Sequence, residues 1–124
     1  MPDVPSAALS GLRVLVVEDE FLIALELSSI LDDLGCIVLG LVASVPEALR
    51  LLAAEPPDIT LLDINLNGTR TTLVALALAA DGLPFIAVTA YASLPEPVFD
   101  GVPTIRKPFW PEQVRDALLG LARP

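Results

Sequence analysis

The chain has 124 residues, 54% of them hydrophobic and 19% charged, which fits one domain with enough apolar side chain to bury a core and excludes a disordered segment. Sixteen acids against seven bases give a net charge of -9, which argues against binding DNA or RNA by neutralising phosphates. The chain contains no histidine, which excludes histidine acid-base chemistry and histidine metal sites, and the single Cys36 excludes an internal disulfide and suits a reducing compartment.

The first ten residues lack the basic start and apolar block of a secretory signal. No run of about 18 apolar residues is present, so no membrane span is expected, and a cytoplasmic location is. Arg13 to Val17 is a β-branched run ending abruptly at Glu18-Asp19-Glu20, the pattern of a strand buried on both faces. A helix follows, with Ile23, Leu27, Ile30, Leu31 and Leu34 on one face and Gly35 as its C-terminal cap. Cys36 to Leu41 is read as a second strand. Ser44, with Glu47 three residues on, predicts a capping box opening a helix to about Ala54, which Pro56-Pro57 stops.

Ile59 to Leu62 is predicted as a third strand ending at Asp63, followed by an Asn65 to Gly68 loop with an Asn-Gly turn signal. A third helix spans roughly Thr71 to Ala80. Phe85 to Val88 is a fourth strand ending at Thr89. The segment from Tyr91 to Gly101 holds Pro95 and Pro97 and allows at most a short, irregular helix. Val102 to Ile105 is a weak fifth strand, interrupted by Pro103 and so placed at a sheet edge. Val114, Ala117, Leu118 and Leu121 line one face of a closing helix that begins at Pro111-Glu112.

Strands alternating with helices predict an α/β fold, a doubly wound parallel sheet with helices on both faces. Such sheets carry their sites outside the carboxyl ends of the strands. Those ends hold Glu18, Asp19, Asp63, Thr89 and Lys107, the only lysine. Clustered carboxylates repel one another unless a cation compensates, and Mg2+ suits a few carboxylates plus waters. The lysine and hydroxyl then read as phosphate ligands, and a carboxylate as a nucleophile toward a phosphoryl group.

Taken in this order, Val16-Val17-Glu18-Asp19-Glu20, Leu61 to Leu66, Val88-Thr89-Ala90 and Lys107-Pro108-Phe109 resemble the receiver domain of two-component response regulators, from about Leu12 to Leu121. The resemblance implies a flavodoxin-like strand order 2-1-3-4-5, with residues 1–11 an extension and 12–122 the receiver. It implies that Asp63 is the phosphoacceptor, that Asp19 binds Mg2+ directly and Glu18 through water, and that the Asn65 carbonyl is a further ligand. Thr89 would hydrogen-bond phosphorylated Asp63, Lys107 would pair with a phosphoryl oxygen, and the Lys107-Pro108 peptide would be cis.

The chain departs from the pattern where most receivers carry a switch aromatic: that position is Thr104. Instead, Pro84 to Tyr91 resembles a divergent Phe-Ala-Thr-Gly-Tyr motif of a receiver subfamily, mostly single-domain regulators associated with HWE-type and related histidine kinases, which makes Tyr91 a possible switch aromatic. The implied partners are a histidine kinase or phosphotransfer protein and an unidentified protein output partner, with neither nucleic acid nor membrane. The chain ends soon after its last amphipathic face, so a stand-alone module is expected. A phosphate sink or relay, or a receiver cut from a hybrid kinase, would use the same residues.

Single residues also have plainer readings. Asp63 could cap a turn, Glu18-Asp19 could be solvated charge at a helix start, Cys36 reads as a small apolar residue, and Phe109 and Trp110 as anchors of the last helix. From other classes, a Mg2+-dependent phosphohydrolase with an aspartyl-phosphate intermediate would want an Asp where Asn65 stands. A flavodoxin would bind phosphate after the first strand, where Glu18-Asp19-Glu20 would repel it.

Overall fold

The computed structural model describes residues 7–90 and 94–122. Five parallel strands, β1 (Arg13–Val17), β2 (Ile37–Val42), β3 (Ile59–Asp63), β6 (Phe85–Thr89) and β7 (Thr104–Arg106), form one sheet. A two-stranded hairpin, β4 (Asn65–Leu66) and β5 (Thr69–Arg70), lies between β3 and the third helix. The sheet order is β2-β1-β3-β6-β7, which is 2-1-3-4-5 once the hairpin strands are set aside.

The alternation of side chains along each strand separates two cores. Val14, Val16, Ile59, Leu61, Ile86 and Val88 point to one face, where Leu27, Ile30 and Leu31 of α1 (Phe21–Asp33) and Val114 and Leu118 of α4 (Pro111–Ala122) cover them. Leu15, Val17, Leu62, Phe85 and Ala87 point to the other, under α2 (Val45–Ala54) and α3 (Thr72–Ala80). The central strands are apolar at nearly every position because both faces must be covered. No helix among the described residues is long and apolar enough to cross a membrane.

The helix ends follow from local chemistry. At the end of α1, Gly35 has φ 85°, its N–H donates to the Asp32 carbonyl, and the Cys36 N–H donates to the Leu31 carbonyl. Only glycine takes that left-handed turn cheaply. Ser44 Oγ accepts the Glu47 N–H at 3.3 Å, one half of the expected capping box. The Glu47 carboxylate returns to the Ser44 hydroxyl instead of its backbone N–H.

Three expectations need adjustment. The second strand starts at Ile37 and runs to Val42, one residue beyond the predicted span at the far end. Cys36 is buried just before it, and burial raises its thiol pKa. The fifth strand starts at Thr104 because Pro103 has no N–H to give the ladder; only its carbonyl takes part, accepting from Ala87 N. The Asn65 to Gly68 loop is a two-residue hairpin turn, with Asn67 at φ 53° and Gly68 at φ 90°, and its paired strands are too short for any periodicity to reveal. Within the stretch from Tyr91 to Gly101, the described part holds one 3-10 turn at Pro97–Phe99, the irregular element that the prolines implied. Leu9, inside the stretch assigned to the N-terminal extension, is fully buried in the α1–α4 core.

Candidate functional site

Four of the five parallel strands, all but β2, deliver a polar side chain at the carboxyl rim. Glu18 follows β1 directly and is held in line by its N–H to the Val42 carbonyl. Asp63 is the last residue of β3 and Thr89 the last of β6. Asp63 lies level with Val88 in the ladder, so Thr89 stands one residue beyond the level of Asp63 on the neighbouring strand. Lys107 follows β7, and its N–H donates to the Thr89 carbonyl at 2.8 Å. The Lys107-Pro108 peptide is cis.

The side chains converge. Lys107 Nζ lies 2.8 Å from Glu18 Oε1 and 3.3 Å from Asp63 Oδ2. Glu18 Oε2 accepts the Glu20 N–H at 3.1 Å, and Asp63 Oδ1 accepts the Asn65 N–H at 3.3 Å. Glu18, Asp63 and Thr89 are 3%, 6% and 1% exposed, while Asp19 is half-buried. Burial, then the neighbouring Asp63 carboxylate, pushes Glu18 up to about 7 against the opposing pull of Lys107. Burial by itself would lower the Lys107 pKa. Its pairing with Glu18 and Asp63 outweighs that and holds it above the ordinary lysine value.

One oxygen each from Glu18, Asp19 and Asp63 lies within 4.8 Å of the others. The donors are all hard oxygens, and one lysine faces three carboxylates, so the set lacks positive charge. A divalent ion with oxygen ligands at about 2.1 Å fits such a group. Asn65 is paired with Arg70 across the hairpin and follows Asp63 by two residues in the chain.

The structure therefore brings Glu18, Asp19, Asp63, Asn65, Thr89 and Lys107 to one rim. Tyr91 lies outside the described residues. Thr104 is exposed at the start of β7, and its hydroxyl donates to the Val102 carbonyl of its own chain segment. Two features had no signal in the sequence. Thr71, fully buried, donates its hydroxyl to the Asp63 carbonyl at 2.7 Å. Arg70 grips Glu96 with both Nε and Nη2, at 2.6 to 3.0 Å, and Thr72 donates to the same carboxylate.

A doubly wound sheet in this order with an acidic rim is the arrangement of receiver domains of two-component signalling proteins. The chain matches the response regulator receiver domain over residues 14–119 and belongs to that family. It is 33% identical over 117 residues to the phyllosphere-induced regulator PhyR of Methylorubrum extorquens, an alignment covering 87% of this chain and 42% of that protein. The chain thus spans less than half the length of that relative. Among solved structures it resembles SdrG from Sphingomonas melonis Fr1, with 36% identity, a TM-score of 0.80, and 95% of this chain and 100% of that one covered. It also resembles the anti-anti-sigma factor PhyR from Bartonella quintana, with 29% identity, a TM-score of 0.74, and 90% and 47% covered.

Proposed function

We propose that this receiver accepts a phosphoryl group on Asp63 from a phosphohistidine of a histidine kinase or phosphotransfer protein, and passes the change to a protein partner. The observation that carries this reading is the placement of Lys107 Nζ 3.3 Å from Asp63 Oδ2 at the carboxylate-lined rim. An Asp63 carboxylate oxygen attacks phosphorus, the P–N bond to the donor imidazole breaks, and the nitrogen leaves with the electron pair. The donor histidine must belong to a partner, because this chain has none. Glu18, Asp19, Asp63 and the Asn65 carbonyl would hold Mg2+, which when bound neutralises charge on the transferred phosphoryl group. Lys107 pairs with a phosphoryl oxygen, and the Thr89 hydroxyl donates to another. The Lys107 N–H on the Thr89 carbonyl ties the ends of β6 and β7, so a shift at one is felt at the other.

Phe21 and Leu22 open α1 beside the acidic rim and are 71% and 78% exposed, an apolar surface suited to a phosphodonor protein. The divergent motif ending in Thr89 and Tyr91 supports a place in the Phe-Ala-Thr-Gly-Tyr subfamily and an HWE-type or related kinase. The Bartonella quintana relative is an anti-anti-sigma factor, which supports an output through protein contacts. A net charge of -9 likewise favours a protein output over nucleic acid. We place the protein in the cytoplasm, where a free buried thiol such as Cys36 stays reduced.

The test is incubation with acetyl phosphate and Mg2+ followed by intact mass. One added phosphoryl group, absent in Asp63→Asn, supports the reading. Addition that persists in Asp63→Asn, or none to the wild type from any phosphodonor, overturns it.

A further inference from the structure

Thr71 stands immediately before α3, where a threonine hydroxyl ordinarily accepts an N–H of the first helical turn. It makes no such cap here. Its hydroxyl turns back to the end of β3 and donates to the Asp63 carbonyl at 2.7 Å, with the Ile64 carbonyl at 3.2 Å. Its N–H also donates to the Ile64 carbonyl, at 2.9 Å. One fully buried residue thus holds two consecutive carbonyls at the acceptor.

Between these pinned ends the chain forms the β4–β5 hairpin, in which Asn65 pairs with Arg70. Each oxygen of Asp63 then has its own donor: Asn65 N on Oδ1, Lys107 Nζ on Oδ2 and the Thr71 hydroxyl on the carbonyl. The short peptide from Asp63 to Asn65 carries both the acceptor carboxylate and the carbonyl that would complete the cation site. A rotation of that peptide displaces the two together, and Mg2+ tolerates little departure from octahedral geometry.

We infer that Thr71 is a positioning residue for phosphoryl acceptance: its hydroxyl fixes the main chain of Asp63 and Ile64, so that the Asp63 carboxylate and the Asn65 carbonyl are presented to one cation. The inference rests on the proposed function and adds a residue to it. Valine is nearly isosteric with threonine and lacks the donor, while serine keeps it. Removing the hydroxyl leaves a buried carbonyl short of a partner and frees the loop at its base.

The experiment compares wild type, Thr71→Val and Thr71→Ser in three measurements: amide NMR shifts on titration with Mg2+, amide exchange at Asn65, and phosphorylation by acetyl phosphate across Mg2+ concentrations. Thr71→Val should bind Mg2+ about tenfold more weakly and need correspondingly more Mg2+ for half-maximal phosphorylation. Its Asn65 amide should exchange faster while the β1 and β3 amides stay protected, and Thr71→Ser should follow the wild type in all three. The inference is overturned if Thr71→Val matches the wild type in Mg2+ affinity and Asn65 exchange, or if Thr71→Ser behaves as Thr71→Val. A variant too unstable to fold would lose protection in β1 and β3 as well, and Thr71→Ala, which also lacks the donor, then takes its place with the same two outcomes. A wild type that binds no Mg2+ and takes no phosphoryl group overturns the proposed function itself, an outcome distinct from a phosphorylated wild type with an unaffected Thr71→Val.

Discussion

Lys107 Nζ stands closer to Glu18 than to Asp63, at 2.8 Å against 3.3 Å. The lysine therefore compensates the most buried carboxylate of the rim as well as Asp63. Even so, Glu18 is pushed up to about 7, first by burial and then by Asp63. Between the ordinary carboxylate range and about 7, the folded protein holds a proton at Glu18 that the unfolded chain has released. Stability at this site is thus gained as pH falls through 7 and lost as it rises. In EDTA, the wild type should melt at a higher temperature at about pH 5.5 than at about pH 7.5, and Glu18→Gln should flatten that difference. An identical pH dependence in Glu18→Gln would show that Glu18 does not titrate in this window.

The same geometry sets Lys107 in competition with a divalent ion for Glu18 and Asp63. Lys107→Gln removes a positive charge from beside both, so Mg2+ should bind more tightly, by about tenfold. Phosphorylation by acetyl phosphate at saturating Mg2+ should nonetheless slow, because no cation remains to face the phosphoryl oxygens from that side. Opposite signs for binding and rate are the expected signature. Weaker Mg2+ binding in Lys107→Gln would contradict the competition.

Arg70 and Glu96 connect the hairpin beside Asp63 to the segment between β6 and β7. The two-pronged pairing with Arg70 holds Glu96 below the usual carboxylate range. Arg70→Ala should speed amide exchange at Phe99 and Asp100, whose N–H groups form the 3-10 turn just after Glu96, and leave the central strands unchanged. Unchanged exchange in that turn would mean that the pair does not tether the segment.

Thr60 offers a test away from the site. It is fully buried on β3, and its hydroxyl finds no hydrogen-bond partner among the described residues. Thr60→Val removes a buried polar atom at nearly constant volume and should stabilise the fold by about 1 kcal/mol, or about 3 °C in Tm. A drop in Tm would show that the hydroxyl is solvated or bonded in solution.

The sequence by itself determined the layered sheet and the membership of its rim. Apolar runs such as Arg13 to Val17 and Ile59 to Leu62 can be buried only if both faces are covered, and their abrupt polar ends mark the rim where Glu18, Asp63 and Thr89 fall. These are local patterns, written within a few consecutive residues. Caps such as Gly35 and Ser44 were legible for the same reason. The hairpin was not, because two-residue strands carry no period. Only the tertiary structure decided that Thr71 would abandon its helix cap for Asp63, that Arg70 would find Glu96 across 26 residues, and that Lys107 would lean toward Glu18. A donor's partner across such separations depends on which elements pack side by side, and no local spacing records that choice.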